Sequence, residues 1–160
     1  MMIRHSLRNS RHLLRDSVCL LASLLCLVAA DAGAEPSGRL PVKMPLTAQD
    51  ALRGEMLMKL QTVYAVEAAL ADNQPANAAE QVERYLGTGA MGQHRKLPPE
   101  ARPGMYLPDA MHAIGMQSHR LGSDLSAALK DGERARIDAT LRDLLGTCVA
   151  CHSTYRLAPQ

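Results

Sequence analysis

The chain has no phenylalanine and no tryptophan, and four tyrosines are all it offers of that kind among 160 residues. A core must then be assembled from leucine, alanine, methionine and valine, and a large flat apolar group bound inside would supply the surface that the missing aromatics leave out. Cysteine is scarce as well. Of the four, Cys19 and Cys26 sit in an N-terminal segment that reads as removable, which leaves Cys148 and Cys151, too few thiols for a disulfide framework. No apolar run reaches the roughly 18 to 20 residues of a spanning helix. No block of one charge sign marks a face for nucleic acid or membrane.

What the N-terminus holds instead is the pattern of a secretory signal. Arg4, Arg8, Arg11 and Arg15 form a basic front, Val18 to Ala30 is an uncharged and almost wholly apolar stretch of thirteen, and Ala32-Gly33-Ala34 is a small-residue cleavage site before Glu35. Residues 1–34 are therefore expected to be cleaved on export to the periplasm, residues 35–46 to form a short extension, and residues 47–160 to fold as one domain. The basic excess belongs to the signal: without it, the 18 basic and 16 acidic side chains fall to fourteen of each. Neither nucleic acid nor membrane is an expected partner of the mature protein.

Beyond the signal the periodicity is helical. Thr47 with Asp50 resembles a capping pair, and Leu52, Met56, Leu60, Val63, Val66 and Leu70 recur at three- and four-residue steps, predicting a helix from Thr47 to about Asp72. Pro75 opens a second helix that stops at Gly87, and residues 88–106, with Gly89, Gly92, Pro98-Pro99 and Pro103-Gly104, read as a long loop. A third helix begins at Pro108 and ends at Lys130-Asp131-Gly132; a fourth runs from near Glu133 to Tyr155. No strand or repeat stands out. The expectation is an all-α domain, an antiparallel four-helix bundle.

The last helix carries the most specific signal. Cys148-Val149-Ala150-Cys151-His152 has the Cys-x-x-Cys-His spacing through which c-type haem is attached covalently. On a helix the two thiols share a face and can bond the two vinyl groups of a porphyrin, while the neighbouring imidazole reaches the iron. A redox dithiol or a zinc half-site would use the same cysteines, but zinc would lack a second ligand pair. One covalent haem c per chain is therefore expected, held inward because both cysteines fall on the apolar stripe.

The motif near the C-terminus, continued as Cys-Val-Ala-Cys-His-Ser-Thr-Tyr-Arg, resembles the class II c-type cytochromes, which comprise cytochrome c prime and its low-spin relatives and are exported bacterial four-helix bundles. The likeness covers about residues 47–157 and is strongest over the final helix; Met91-Gly92-Gln93-His94-Arg95 looks more like a lesser-known branch of exported c-type cytochromes. It implies Cys148 and Cys151 as thioether residues, His152 as proximal iron ligand and Arg156 near the haem edge. A helical arginine four residues after the ligand would share its face and could pair with a propionate, or stand as a solvated last-turn cation. Arg53 resembles a basic residue such proteins carry shortly before the distal position, where it could meet a propionate. Its alternative is a solvated helix charge.

The same resemblance places the distal residue on the first helix, which offers Met56 and Met58. Met56 falls on the apolar stripe and is the expected second iron ligand, although a methionine at helical spacing can equally be core filler. Met58, His119, His112, the loop residue His94, or no protein ligand at all are the alternatives. Two strong ligands make a low-spin electron carrier, and an open distal side makes a binder of nitric oxide or carbon monoxide. A peroxidase would need a positioned acid-base group, for which no residue is persuasive. The expectation is a periplasmic electron carrier, not an enzyme, that meets redox partner proteins; pairing of two copies through the first two helices is compatible with the pattern.

Overall fold

A computed structural model of the chain describes residues 38–159, so the expected signal segment lies outside the described residues. Four α-helices occur among them: α1 (Leu46–Ala71), α2 (Ala79–Tyr85), α3 (Asp109–Asp131) and α4 (Arg134–Thr154). The architecture is all-α with one addition that the sequence does not announce. Two three-residue strands, β1 (Leu40–Val42) and β2 (Tyr155–Leu157), pair in parallel with Leu40 opposite Tyr155 and Val42 opposite Leu157. No helix of the described residues is long and apolar enough to cross a membrane.

The compact unit begins at Gly38, ahead of the expected boundary at Thr47. Val42 and Met44 are buried with Ala48 and Tyr155, so two residues of the supposed extension belong to the core while their neighbours stay exposed. The expected Thr47–Asp50 capping pair does not form. Pro45 occupies the cap position without a side-chain hydrogen bond, and the Thr47 hydroxyl donates to the Glu100 carbonyl instead, at 3.4 Å. Proline sets φ in the extended residue before a helix without needing a donor, and Pro108 does the same before α3.

The aliphatic core gathers where α3 and α4 turn back on one another. Gly132, at φ 71°, closes α3 in the left-handed region, and its N–H donates to the Ala128 carbonyl at 3.0 Å. Leu125 and Leu129 of α3 meet Ile137 and Leu144 of α4, Val82 of α2 and Val66 of α1, all buried. Each such side chain contributes about 1.5–3 kcal/mol by leaving water. The second helix enters through a short 3₁₀ turn at Pro75–Ala78 and packs closely because it presents Ala78 and Ala79. Gly122 of α3 is the tightest point: a Cβ there would stand 2.3 Å from the Leu86 carbonyl oxygen.

The stripe of α1 is divided. Its C-terminal half joins the core through Val66 and Ala69, whereas Leu60, nearer the start, is 66% exposed. The backbone of α1 comes closest to α2 and to the turns of the long loop, and not to α3 or α4. That loop runs through four 3₁₀ turns between Thr88 and Met105. It is pinned at its start, where the Thr88 N–H donates to the Ser123 hydroxyl and the Gly89 N–H to the Glu83 carboxylate, each at 2.9 Å.

Candidate functional site

Where α1 parts from α3 and α4, the three helices and the loop enclose a cavity of about 590 Å³. Sealed and empty, a void of that volume would cost on the order of 10 kcal/mol, as much as a domain of this size has in total stability. Its rim is open along Leu60, Met91 and Met105, all exposed, so it is an accessible site and not a packing defect. The volume falls in the range of roughly 300–1,000 Å³ used by small-molecule and cofactor sites. Five methionines line it, at positions 56, 91, 105, 111 and 116. Unbranched thioethers can conform to an irregular ligand better than branched side chains.

Cys148, Cys151 and His152 all belong to α4 and all face this cavity. The two thiols are half-buried and unpaired, and His152 stands exposed at the rim. Burial pushes the Cys151 thiol up, the neighbouring Cys148 adds to the rise, and Lys59 across the cavity opposes it. A reactive dithiol is poised in the opposite sense, by an environment that favours thiolate. Among the described residues no three of histidine, cysteine, aspartate and glutamate converge as a metal cluster would require.

The end of α4 is held by the strand pair. An Arg39 guanidinium N–H donates to the His152 carbonyl at 3.2 Å, and the Ala158 N–H to the Val42 carbonyl at 2.9 Å. This corrects the expected place of Arg156. The helix stops at Thr154, so Arg156 lies in β2 opposite Pro41 and not on the last turn of α4; it is not among the residues that line the cavity, and its buried Nε has no hydrogen-bond partner among the described residues. Strand pairing has replaced the last helical turn that would have set it on the face of His152. Tyr155 is buried beside it.

Met56 lines the cavity, while Met58 points away and is 37% exposed. Arg53 also lies off the walls, donating to Asp50 at 3.1 Å and to Gln49 at 2.9 Å, as a helix-surface charge would. Of the histidines outside the motif, His94, His112 and His119 all reach the cavity. His112 is exposed. His94 is engaged by Glu55 at 2.9 Å, and His119 is fixed against the backbone of residues 86 and 87.

Sequence reasoning missed Glu55 and Lys59. They form a 2.9 Å ion pair on the cavity wall, with side chains only 14% and 16% exposed, and Glu55 also reaches His94 so that the loop is strapped to α1. Burial alone would raise the Glu55 carboxyl, but Lys59 and His94 outweigh it and hold the group below the ordinary value. The available signal was a pair of opposite charges one turn apart beside Met56 and Leu60, on the face read as apolar. Compared with known proteins, the chain matches no family model, no curated protein and no solved structure.

Proposed function

We propose that this protein binds one haem covalently through Cys148 and Cys151, with His152 as an axial ligand, and passes single electrons between partner proteins after export to the periplasm. The observation that carries this reading is the meeting of the Cys-x-x-Cys-His side chains with one large, mainly apolar cavity. Bound there, a haem iron supplies a ferric/ferrous couple whose potential depends on its axial ligands and surroundings.

The chain's own residues fit such a group. The thiols are three residues apart on one helix face, neither is committed to a disulfide, and Leu52, Val63 and Ile114 offer an apolar wall that would exclude water. Lys59, Arg95 and Arg102 stand around the same cavity against the one carboxylate of Glu55, a balance suited to an acidic substituent such as a propionate. The helices, with α2 as the short member, are then an antiparallel four-helix bundle closed around its cofactor. Met56 is available on the wall as a second ligand, and Met58 is not.

The decisive experiment expresses the full chain in a host competent in cytochrome maturation and extracts it with acid-acetone. Haem should remain with the polypeptide through extraction and denaturing electrophoresis, and the mature protein should begin at or near Glu35. Recovery of a colourless chain with two titratable thiols or one disulfide would end the cytochrome reading.

A further inference from the structure

The geometry points to His119, in preference to Met56, as the side chain that meets the iron opposite His152. This assignment rests on the haem-bearing reading above. The Nδ1 of His119 lies 3.0 Å from both the Leu86 and the Gly87 carbonyl oxygens. A carbonyl can only accept, so Nδ1 carries the proton, and in the neutral ring Nε2 keeps its lone pair. No hydrogen bond engages Nε2 among the described residues, and the half-buried ring lies on the cavity wall. An imidazole whose far nitrogen donates to backbone carbonyls is the usual arrangement of a metal-bound histidine, because that contact fixes both tautomer and ring orientation.

The arrangement is built in by close packing. Gly122 is one turn beyond His119 on α3, and the absence of its Cβ lets the backbone of residues 86 and 87 press against the helix. The two carbonyls are thereby brought under the ring. The other candidates differ: Glu55 holds His94 through Nε2 and leaves only Nδ1, which lies beside the ring carbon that bears the side chain and is the more crowded nitrogen toward a porphyrin, and His112 is exposed with no hydrogen bond among the described residues. Met56 has a flexible thioether on the cavity wall, and a soft filler of this kind suits a wall as well as a ligand. Two imidazoles would also set a lower reduction potential than one imidazole and one thioether.

The test is spectroscopic and uses purified holoprotein. Ferric wild type should be low-spin by electron paramagnetic resonance, with near-infrared magnetic circular dichroism of two nitrogen ligands and no thioether charge-transfer band, and Met56→Ala should leave this pattern unchanged. His119→Gln, whose amide can still donate to the two carbonyls, should lose it, becoming high-spin or acquiring a thioether band; added imidazole should restore it. A wild-type thioether band that vanishes in Met56→Ala, or a wild-type protein that is high-spin, would overturn the assignment. Should His119→Gln not fold, His94→Gln and His112→Gln take its place: both should keep the wild-type pattern, and loss of that pattern in either would overturn the assignment. Failure of the underlying reading looks different, since the extracted chain would then be colourless, and it would remove both proposals together.

Discussion

Two glycines seven residues apart on α3 summarise the difference between the ends of this molecule. Gly122 has backbone in the place where its Cβ would be, whereas Gly115 has nothing within 4 Å of that place. The first belongs to the end where Leu125, Leu129, Ile137 and Leu144 fill space with aliphatic atoms; the second faces the end where the helices part around about 590 Å³. A chain without phenylalanine or tryptophan closes one end with branched aliphatics and leaves the other open. One end is filled and the other is left as a cavity.

That contrast is tested first where the effect is largest. Leu125→Ala should destabilise the protein by about 2–5 kcal/mol in denaturant unfolding, because it hollows the closed end. Met105→Ala, on the open rim and 64% exposed, should stay within about 0.5 kcal/mol in the chain before attachment of any cofactor. Equal losses would show that the two ends are not energetically distinct.

A second test concerns the Glu55–Lys59 ion pair on the cavity wall. Since the folded-state pKa of Glu55 lies below its ordinary value of 4.5, the pairing contributes stability above that pH and loses it as pH falls through the lower folded value. Glu55→Gln should therefore cost about 1.5–3 kcal/mol at neutral pH, the scale of a lost hydrogen bond to a charged group. The difference from wild type should shrink under acid conditions. A difference indifferent to pH would mean that the charge of Glu55 is not what holds the loop to α1.

The glycines give the finest comparison. Gly122→Ala should destabilise by about 1–3 kcal/mol or more, since the obstacle is backbone and cannot swing aside. Gly115→Ala should raise helix stability by up to about 1 kcal/mol in the chain without a cofactor, yet, if the proposed haem occupies the cavity, shift the holoprotein spectrum by adding a methyl group to the wall. A gain in stability with an unaltered holoprotein spectrum would place the bound group away from α3.

The helical segments were legible because apolar residues recur at helical spacing and Pro108 and Gly132 bracket α3, whereas the start of α1 was read from a Thr47–Asp50 capping pair where Pro45 in fact stands. The joining of Cys148, Cys151, His152 and Met56 on one cavity was likewise foreseeable from face arithmetic. Long-range pairings were not. The β1–β2 ladder is three residues long on each side, too short for an alternating pattern to register, and it displaced Arg156 from the helix on which local reasoning had set it. The hold on His119 depends on backbone carbonyls of another segment, which carry no side-chain signature, and on the missing Cβ of Gly122, which the sequence reading passed over.

The strand pair has a consequence in time. Leu40 and Tyr155 lie near opposite ends of the described chain, so their pairing demands the longest loop closure in the domain and cannot form until nearly all of it has been synthesised. The α3–α4 hairpin, by contrast, is local and can assemble early. A latch of this kind is the last contact made, and until Arg39 reaches the His152 carbonyl the final turn of α4 is unfastened at its end. On the proposed reading, haem attachment at Cys148 and Cys151 would have its access set by the order of folding, wider while the end of α4 is unfastened and narrower once the two ends of the domain meet.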